Sequence, residues 1–331
     1  MKFSNPMTRL ASPLTLALWA GACGMLPSTT QAADPRAAQS KADSEQQSFA
    51  SSDEAVKAFQ TAALAKNKAA LSALFGPDFR ELSTGDAVQD ANNAQNLATA
   101  LELGCRPVKE GEDRITLEIG TNNWPMAIPL VKADGQWHFD TAAGKEEIIN
   151  RHIGKDELHA IGVCRAYVVA QRQFASMTPG PAQYAQKLTS APGKKDGLYW
   201  PAVVNEPVSP LGDLVTDAHA EGYTAVKGGG PQPYHGYYFR ILTQQGKAAP
   251  GGKMNYLSHG NLTGGFALLA YPERWDYSGV MTFIVNQDGK VVQRNLGEKT
   301  ARIASAIKEY NPDSEWALVQ DEGIMDKVAA K

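Results

Sequence analysis

Two Asp-Gly dipeptides, each set between stretches of alternating apolar and polar residues, constrain this chain more than any other feature. The first is Asp134-Gly135 in "WPMAIPLVKADGQWHFD" and the second is Asp288-Gly289 in "YSGVMTFIVNQDGKVVQRNLG". Alternation with period two puts every second side chain on one face of a strand, and Asp-Gly supplies the turn that reverses the chain. Each segment therefore predicts an antiparallel hairpin with one buried face. A hairpin of this kind is scaffold, so function is sought on the loops that the sheet holds in place.

Further period-two runs surround these turns. In the first half, Ile115, Leu117 and Ile119, then Trp124, Met126, Ile128 and Leu130, then Trp137 and Phe139 predict three strands. In the second half, runs at Tyr237–Ile241, Phe266–Ala270, Met281–Val285 and Val291–Gln293 predict a four-stranded antiparallel sheet. Helical spacing fills the rest. A capping box from Ser51 to Glu54 opens a helix that shows Ala55, Phe59, Ala62 and Ala63 on one face; Asn67 restarts a second helix and Gly76 stops it. A third helix runs from Asp86 to Leu103, and a long helical stretch from Glu146 to Met177 is expected to break or kink near Gly154. Its second half sets Ala160, Cys164, Tyr167, Ala170, Phe174 and Met177 on one stripe, and a last helix near Thr300–Tyr310 closes at Asn311-Pro312.

The fold class read from this order is α+β: amino-terminal helices plus a curled antiparallel sheet, then a helix packed on a four-stranded antiparallel sheet. A chain of 331 residues exceeds the commonest single core, which divides it into a small domain over 51–150 and a second over 151–331. Before them stand a signal peptide over 1–32 and a flexible linker over 33–50, "ADPRAAQSKADSEQQSFA" being polar up to Phe49.

The signal peptide rests on Lys2 and Arg9, an apolar stretch from Leu10 to Leu26, and the small-residue end Thr30-Gln31-Ala32. The same segment reads a second way: Ala20-Gly21-Ala22-Cys23 resembles the run before a lipid-modified cysteine in bacterial lipoproteins. Removing Lys2 and Arg9 takes the formal net charge from -3 to -5, which points to no polyanion and so to no nucleic-acid partner. No later apolar run is long enough to span a membrane. Export leaves Cys105 and Cys164 as an even pair in an oxidising compartment, either joined in one disulfide or kept as two buried thiols.

Five phrases in the second half, "DGLYWPA", "SPLGDL", "PYHGYYFRIL", "GGFALLAYP" and "SGVMTFIVNQDGKVVQRNLG", resemble the exported bacterial proteins grouped as domain of unknown function twenty-nine fifty. The likeness runs from about Ser51 to Trp316 and implies a family and a cell-envelope location, with no known activity. More distantly, residues 51 to 150 are similar in element order to the cone-shaped nuclear-transport-factor-two superfamily. The second half is similar to the helix-on-sheet module of pilin-like proteins, without their uninterrupted hydrophobic first helix.

Reactive motifs are few. The chain contains no Gly-x-Ser-x-Gly, no His-Glu-x-x-His and no Cys-x-x-Cys, which argues against a serine hydrolase elbow, a zinc protease and a thiol oxidoreductase. Gly228-Gly229-Gly230 lacks the Gly-Lys-Ser/Thr of a phosphate cradle, and no cofactor is expected. Candidate binding residues are Tyr199, Trp200 and Glu206 in the loop "LYWPAVVNEPVSPLGD", with His235 and Arg240 in "PYHGYYFR". Pairings of His219 with Asp217, or of His235 with His259, fall short of three converging metal ligands, while His138, His152 and His159 read as surface or satisfied polar residues. The reading that results is a binding or assembly module of the envelope whose partner is an envelope protein or a small polar ligand. The alternative is an envelope hydrolase that uses a carboxylate and an imidazole, Glu206 with His235.

Overall fold

The computed structural model of the chain describes residues 46–223 and 232–320. The signal segment, Cys23, most of the linker and Gly228–Gly230 lie outside the described residues. Folding begins before Ser51. The Gln46 side chain donates to the carbonyls of Leu74 and Phe139, and Phe49 is buried and bridges Trp137, so residues 46–50 belong to the packed structure and not to a linker.

Local signals place the first three helices. Ser51 caps α1 (Ser52–Leu64), its hydroxyl accepting from the Glu54 amide at 3.3 Å; Asn67 caps α2 (Lys68–Phe75) in the same manner at 3.1 Å. Gly76 ends α2 with φ +72°, and Asp86 caps α3 (Ala87–Leu103) by accepting from the amides of Val88 and Gln89. The helices cover an antiparallel sheet of β1 (Cys105–Lys109), β2 (Arg114–Ile119), β3 (Trp124–Pro125), β4 (Leu130–Ala133) and β5 (Gln136–Phe139), ordered β1-β2-β4-β5 with β3 also on β2. Strand β1 escapes periodicity because it is an edge strand containing Pro107, which an unpaired edge tolerates. Phe59, Phe75 and Phe139 meet edge to face at the centre of this half, with ring centroids 5.3–6.0 Å apart.

One helix, α4 (Thr141–Met177), joins this half to the next and runs unbroken for 37 residues. The break expected at Gly154 does not occur: a single exposed glycine weakens a helix by about 1 kcal/mol, and burial on both sides of it outweighs that. Its first turns dock on the amino-terminal core through Thr141, whose hydroxyl donates to the Phe75 carbonyl at 2.8 Å. Its later turns bury Ala160, Cys164, Tyr167 and Ala170 as the stripe predicts, while Phe174 is half-buried and Met177 exposed.

The second half is an antiparallel meander, β14-β13-β12-β11-β6, built from β6 (Tyr237–Leu242), β11 (Ala267–Pro272), β12 (Met281–Asn286), β13 (Val292–Asn295) and β14 (Ala317–Leu318). The fifth strand is β14, a two-residue return that pairs Leu318 with Val292 and is too short to alternate. Two small ribbons, β7 (Gln244–Gln245) with β8 (Met254–Asn255) and β9 (Leu257–Ser258) with β10 (Asn261–Leu262), extend the loops. Helix α5 (Gly212–Ala220) precedes the sheet, and α6 (Thr300–Ala306) lies over the row Arg240–Leu269–Ile284. The described residues thus form an α+β fold with a hydrophobic cluster in each half.

Candidate functional site

The loop from Leu198 to Leu211 holds three of the candidate residues and is fixed at its base. The Leu211 amide donates to the Leu198 carbonyl at 2.9 Å, closing the loop between two buried leucines. Tyr199 pairs with the 188–190 segment, its amide donating to the Leu188 carbonyl and its carbonyl accepting from the Ser190 amide. Trp200 is buried and donates from Nε1 to the Pro207 carbonyl at 3.2 Å, with the Lys195 ammonium 5.7 Å from its ring centre. The same lysine meets Glu206 at 2.7 Å. Tyr199, Trp200 and Glu206 thus shape the loop, and its tip shows Val203, Val204 and Val208 to solvent at 55%, 86% and 59% exposure, around Asn205 at φ +65°.

A second constellation lies where the two halves meet. Helix α4 contributes His152, Asp156 and His159, spaced i, i+4 and i+7 and therefore on one face. Helix α3 contributes Asp86 and Gln89; the turn after α5 contributes Glu221 and Tyr223; the strand entry contributes Tyr234 and His235. His235 and Gly236 sit at the two central positions of a two-residue turn, with φ +46° and +67°, and Tyr234 and Tyr237 exchange both backbone hydrogen bonds across it. That is the backbone of a type I′ hairpin, so a buried histidine occupies a left-handed position that most side chains avoid.

The contacts inside this centre are specific. Asp156 is fully buried; one carboxylate oxygen accepts from Gln89 Nε2 at 2.5 Å and the other is 3.3 Å from His152 Nε2. His235 Nε2 is 2.8 Å from Glu221 Oε2, and the His235 ring lies 3.9 Å, centre to centre, from that of His159. Tyr223 donates to Asp86 at 2.7 Å and accepts from the His235 amide at 3.3 Å, and Asn92 donates to the Glu221 carbonyl at 2.9 Å. Among the described residues, nine buried side-chain polar atoms lack an aligned hydrogen-bond partner, and six of them belong here: Gln89 Oε1, His152 Nε2, Asp156 Oδ2, His159 Nδ1, Glu221 Oε2 and His235 Nδ1. Such groups are normally satisfied, so their concentration in one place sets this centre apart.

Burial governs the charges. It pushes His159 and His235 down to about 4 and Asp156 up to about 7, lowers His152, and raises Glu221. The close approach of His152 to Asp156 is accordingly a contact between groups that both favour their neutral forms, without the alignment of a hydrogen bond. Near neutral pH the centre holds three uncharged imidazoles and a carboxyl poised to gain or lose a proton. Among the described residues, no three His, Cys, Asp or Glu side chains stand where they could hold a metal ion.

The remaining candidates take other places. Arg240 faces the carboxyl end of α6 and not solvent, donating to the carbonyls of Ala304, Ser305 and Ile307, the last of these at 2.6 Å. Glu206 and His235, the pair on which a hydrolase would rest, have different partners, Lys195 and Glu221. Cys105 and Cys164 are free thiols and form no disulfide: Cys164 is buried in the carboxy-terminal cluster, whereas Cys105 packs against the amino-terminal one. His219 packs edge-on against Tyr199, and His259 contacts Ser258. Two open grooves lie elsewhere, one of about 360 Å³ beside α6 and one of about 410 Å³ on α1 and α2, and neither contains the cluster of unpartnered groups. Sequence reasoning missed His152, Asp156, His159 and Glu221. The available signal was the helical spacing His-x-x-x-Asp-x-x-His, which says that three polar groups share a face but not that the face is buried.

The model of the family described as Protein of unknown function (DUF2950) matches residues 46–319. The chain belongs to that family. The DUF2950 match begins at Gln46, whose side chain ties the chain to the first core, and ends at Val319, which is buried beside β13, so the family unit coincides with the packed unit. No curated protein and no solved structure matches the chain, and the cone-like and pilin-like outlines stay at the level of element order. No helix among the described residues is long and apolar enough to cross a membrane.

Proposed function

We propose that this DUF2950 protein is an exported binding module of the cell envelope that presents the Leu198–Leu211 loop to a protein partner. The observation that carries this reading is the valine tip. Single exposed apolar side chains are ordinary, but three within six residues, on a loop closed at its base, form a preorganised apolar contact. Tyr199, Trp200 and Glu206 serve the interaction by holding the loop in shape, and the amino-terminal Lys2, Arg9 and apolar run supply the export signal. In this reading the sheet and α4 are the frame, and the loop is the surface that is read.

A photoreactive residue placed at Val204, in the protein expressed in its own cells and held at pH 7.5, tests the proposal. The expected result is one discrete crosslinked species that is absent when the probe replaces Met254, an exposed apolar residue elsewhere, and absent when Val203 and Val208 are both changed to Asp. Equal crosslinking from both positions, or none from Val204, rules the loop out as the contact.

A further inference from the structure

We propose that the buried polar centre is an acid-sensitive latch that holds α5, and through α5 the Leu198–Leu211 loop, against the rest of the molecule. Its regulatory consequence rests on the loop reading above; the latch itself does not. Helix α5 is held only shallowly along its length. Gly212 is the only fully buried residue of the helix, and Leu214 and Val215 lie half-buried against the carboxy-terminal cluster, so this shallow contact and the two ends hold it. At the first end stands Leu211, where the loop closes. At the other stand Glu221 and Tyr223, held by Asn92, Asp86 and His235.

Electrostatics makes this attachment sensitive to acid. His159 and His235 touch ring to ring, and the Nδ1 atom of each is buried without a partner. The charged and titratable groups that act on them or on their immediate neighbours are Asp86 and Asp90 at and within α3, His152, Lys155 and Asp156 from α4, Asp217, Glu221 and Tyr223 at and beyond the end of α5, and Tyr234 from the hairpin. Protonating both imidazoles places two like charges in contact in a largely buried site, with Lys155 adding to the repulsion and Glu221 and Asp86 opposing it. Releasing the hairpin and the Glu221–Tyr223 turn hydrates both rings, so acid favours the open form.

Proton counting sets the size of the effect, because opening returns His159 and His235 from about 4 toward 6.5 and Asp156 from about 7 toward 3.8. Between pH 7 and pH 5 the two histidines favour opening by about 500-fold, and Asp156, which is then protonated only in the closed form, opposes it by about 50-fold. For these three groups the net change is about tenfold toward the open form. Asp156 thus acts as a brake that keeps the latch closed through mild acidification.

Amide hydrogen exchange on the full chain reads the latch without any partner. Between pH 7 and pH 5, protection factors over residues 212–223 and 234–237 should fall about tenfold and should stay well below those of β2 and β11 at both pH values, because the core strands exchange only through global unfolding. Asp156→Asn should deepen the fall to several hundredfold, and the pair His159→Gln with His235→Asn should abolish it; Asn is chosen because it accepts the left-handed turn position. The proposal fails if the fall is absent, if residues 212–223 and 234–237 are as strongly protected as β2 and β11 and so open only with the whole fold, if the double variant retains the fall, or if added Zn²⁺ and not pH governs protection. Should the double variant not fold, NMR titration of His159 and His235 in the unaltered protein decides: midpoints below 5.5 uphold the latch and midpoints above 5.5 overturn it. Crosslinking at pH 7.5, where the latch is closed, decides the loop reading separately.

Discussion

At Gly236 a side chain would have nowhere to go. A Cβ there would lie 2.6 Å from that of Ser278 and 2.8 Å from Asp156 Oδ2, and the residue holds φ +67°. Close approach and left-handed backbone act together, so Gly236→Ala should destabilise the protein by roughly 3 kcal/mol. Asn in place of His235 suits the same turn and should shift stability by no more than about 1 kcal/mol at pH 7.5, a contrast that urea denaturation resolves. "PYHGYY" was legible as the start of a strand. That its histidine points into a polar centre was not, because the glycine and the carboxylate that crowd it are 80 residues apart in sequence.

At the scale of elements, the glycines of α4 separate structural need from mere presence. Gly144 packs on the chain between β3 and β4, where a Cβ would meet the Ala127 carbonyl oxygen at 2.6 Å and the Ile128 Cα at 2.7 Å. Backbone cannot step aside as a side chain can, so Gly144→Ala should cost about 3 kcal/mol. Gly154 and Gly162 have open space around them, and alanine at either should stabilise the helix by roughly 0.5–1 kcal/mol. Chemical denaturation of the three variants, with α4 helicity followed by circular dichroism, gives the comparison. From sequence alone Gly154 was the expected break and Gly144 was silent. Propensity is a local quantity, whereas the crowding at Gly144 comes from Ala127 and Ile128, in a loop seventeen and sixteen residues earlier.

For the whole molecule, the polar centre should set the acid side of the stability profile. His159 and His235 are held near 4 in the fold and titrate near 6.5 when unfolded. The unfolded chain therefore binds more protons between those values, and stability is lost as pH falls from 6.5 toward 4. Asp156 has the opposite sign: its folded value near 7 exceeds its unfolded value of 3.8, so its contribution favours folding at low pH and is lost as pH rises through 7. Two histidines outweigh one aspartate, and the protein should lose stability below about pH 6.5. Replacing Asp156 by Asn should steepen that acid loss, and the stability of the variant relative to the parent should rise as pH increases through 7. Thermal melts of both proteins from pH 4.5 to 8.5 measure this; parallel profiles would show that Asp156 is not the group that opposes the histidines.

What the sequence determined by itself was everything set by near neighbours: the capped helices at Ser51, Asn67 and Asp86, the Asp-Gly hairpins, the buried stripe of α4 and the α+β class. Periodicity and capping act over one or two turns, and they survive in a linear reading. The tertiary structure alone decided which polar residues became a centre, since burial of Asp156, His159 and His235 depends on α3, α4, the turn after α5 and a hairpin arriving from four parts of the chain. It also decided that Cys105 and Cys164 stay apart, because each thiol is drawn into a different hydrophobic cluster.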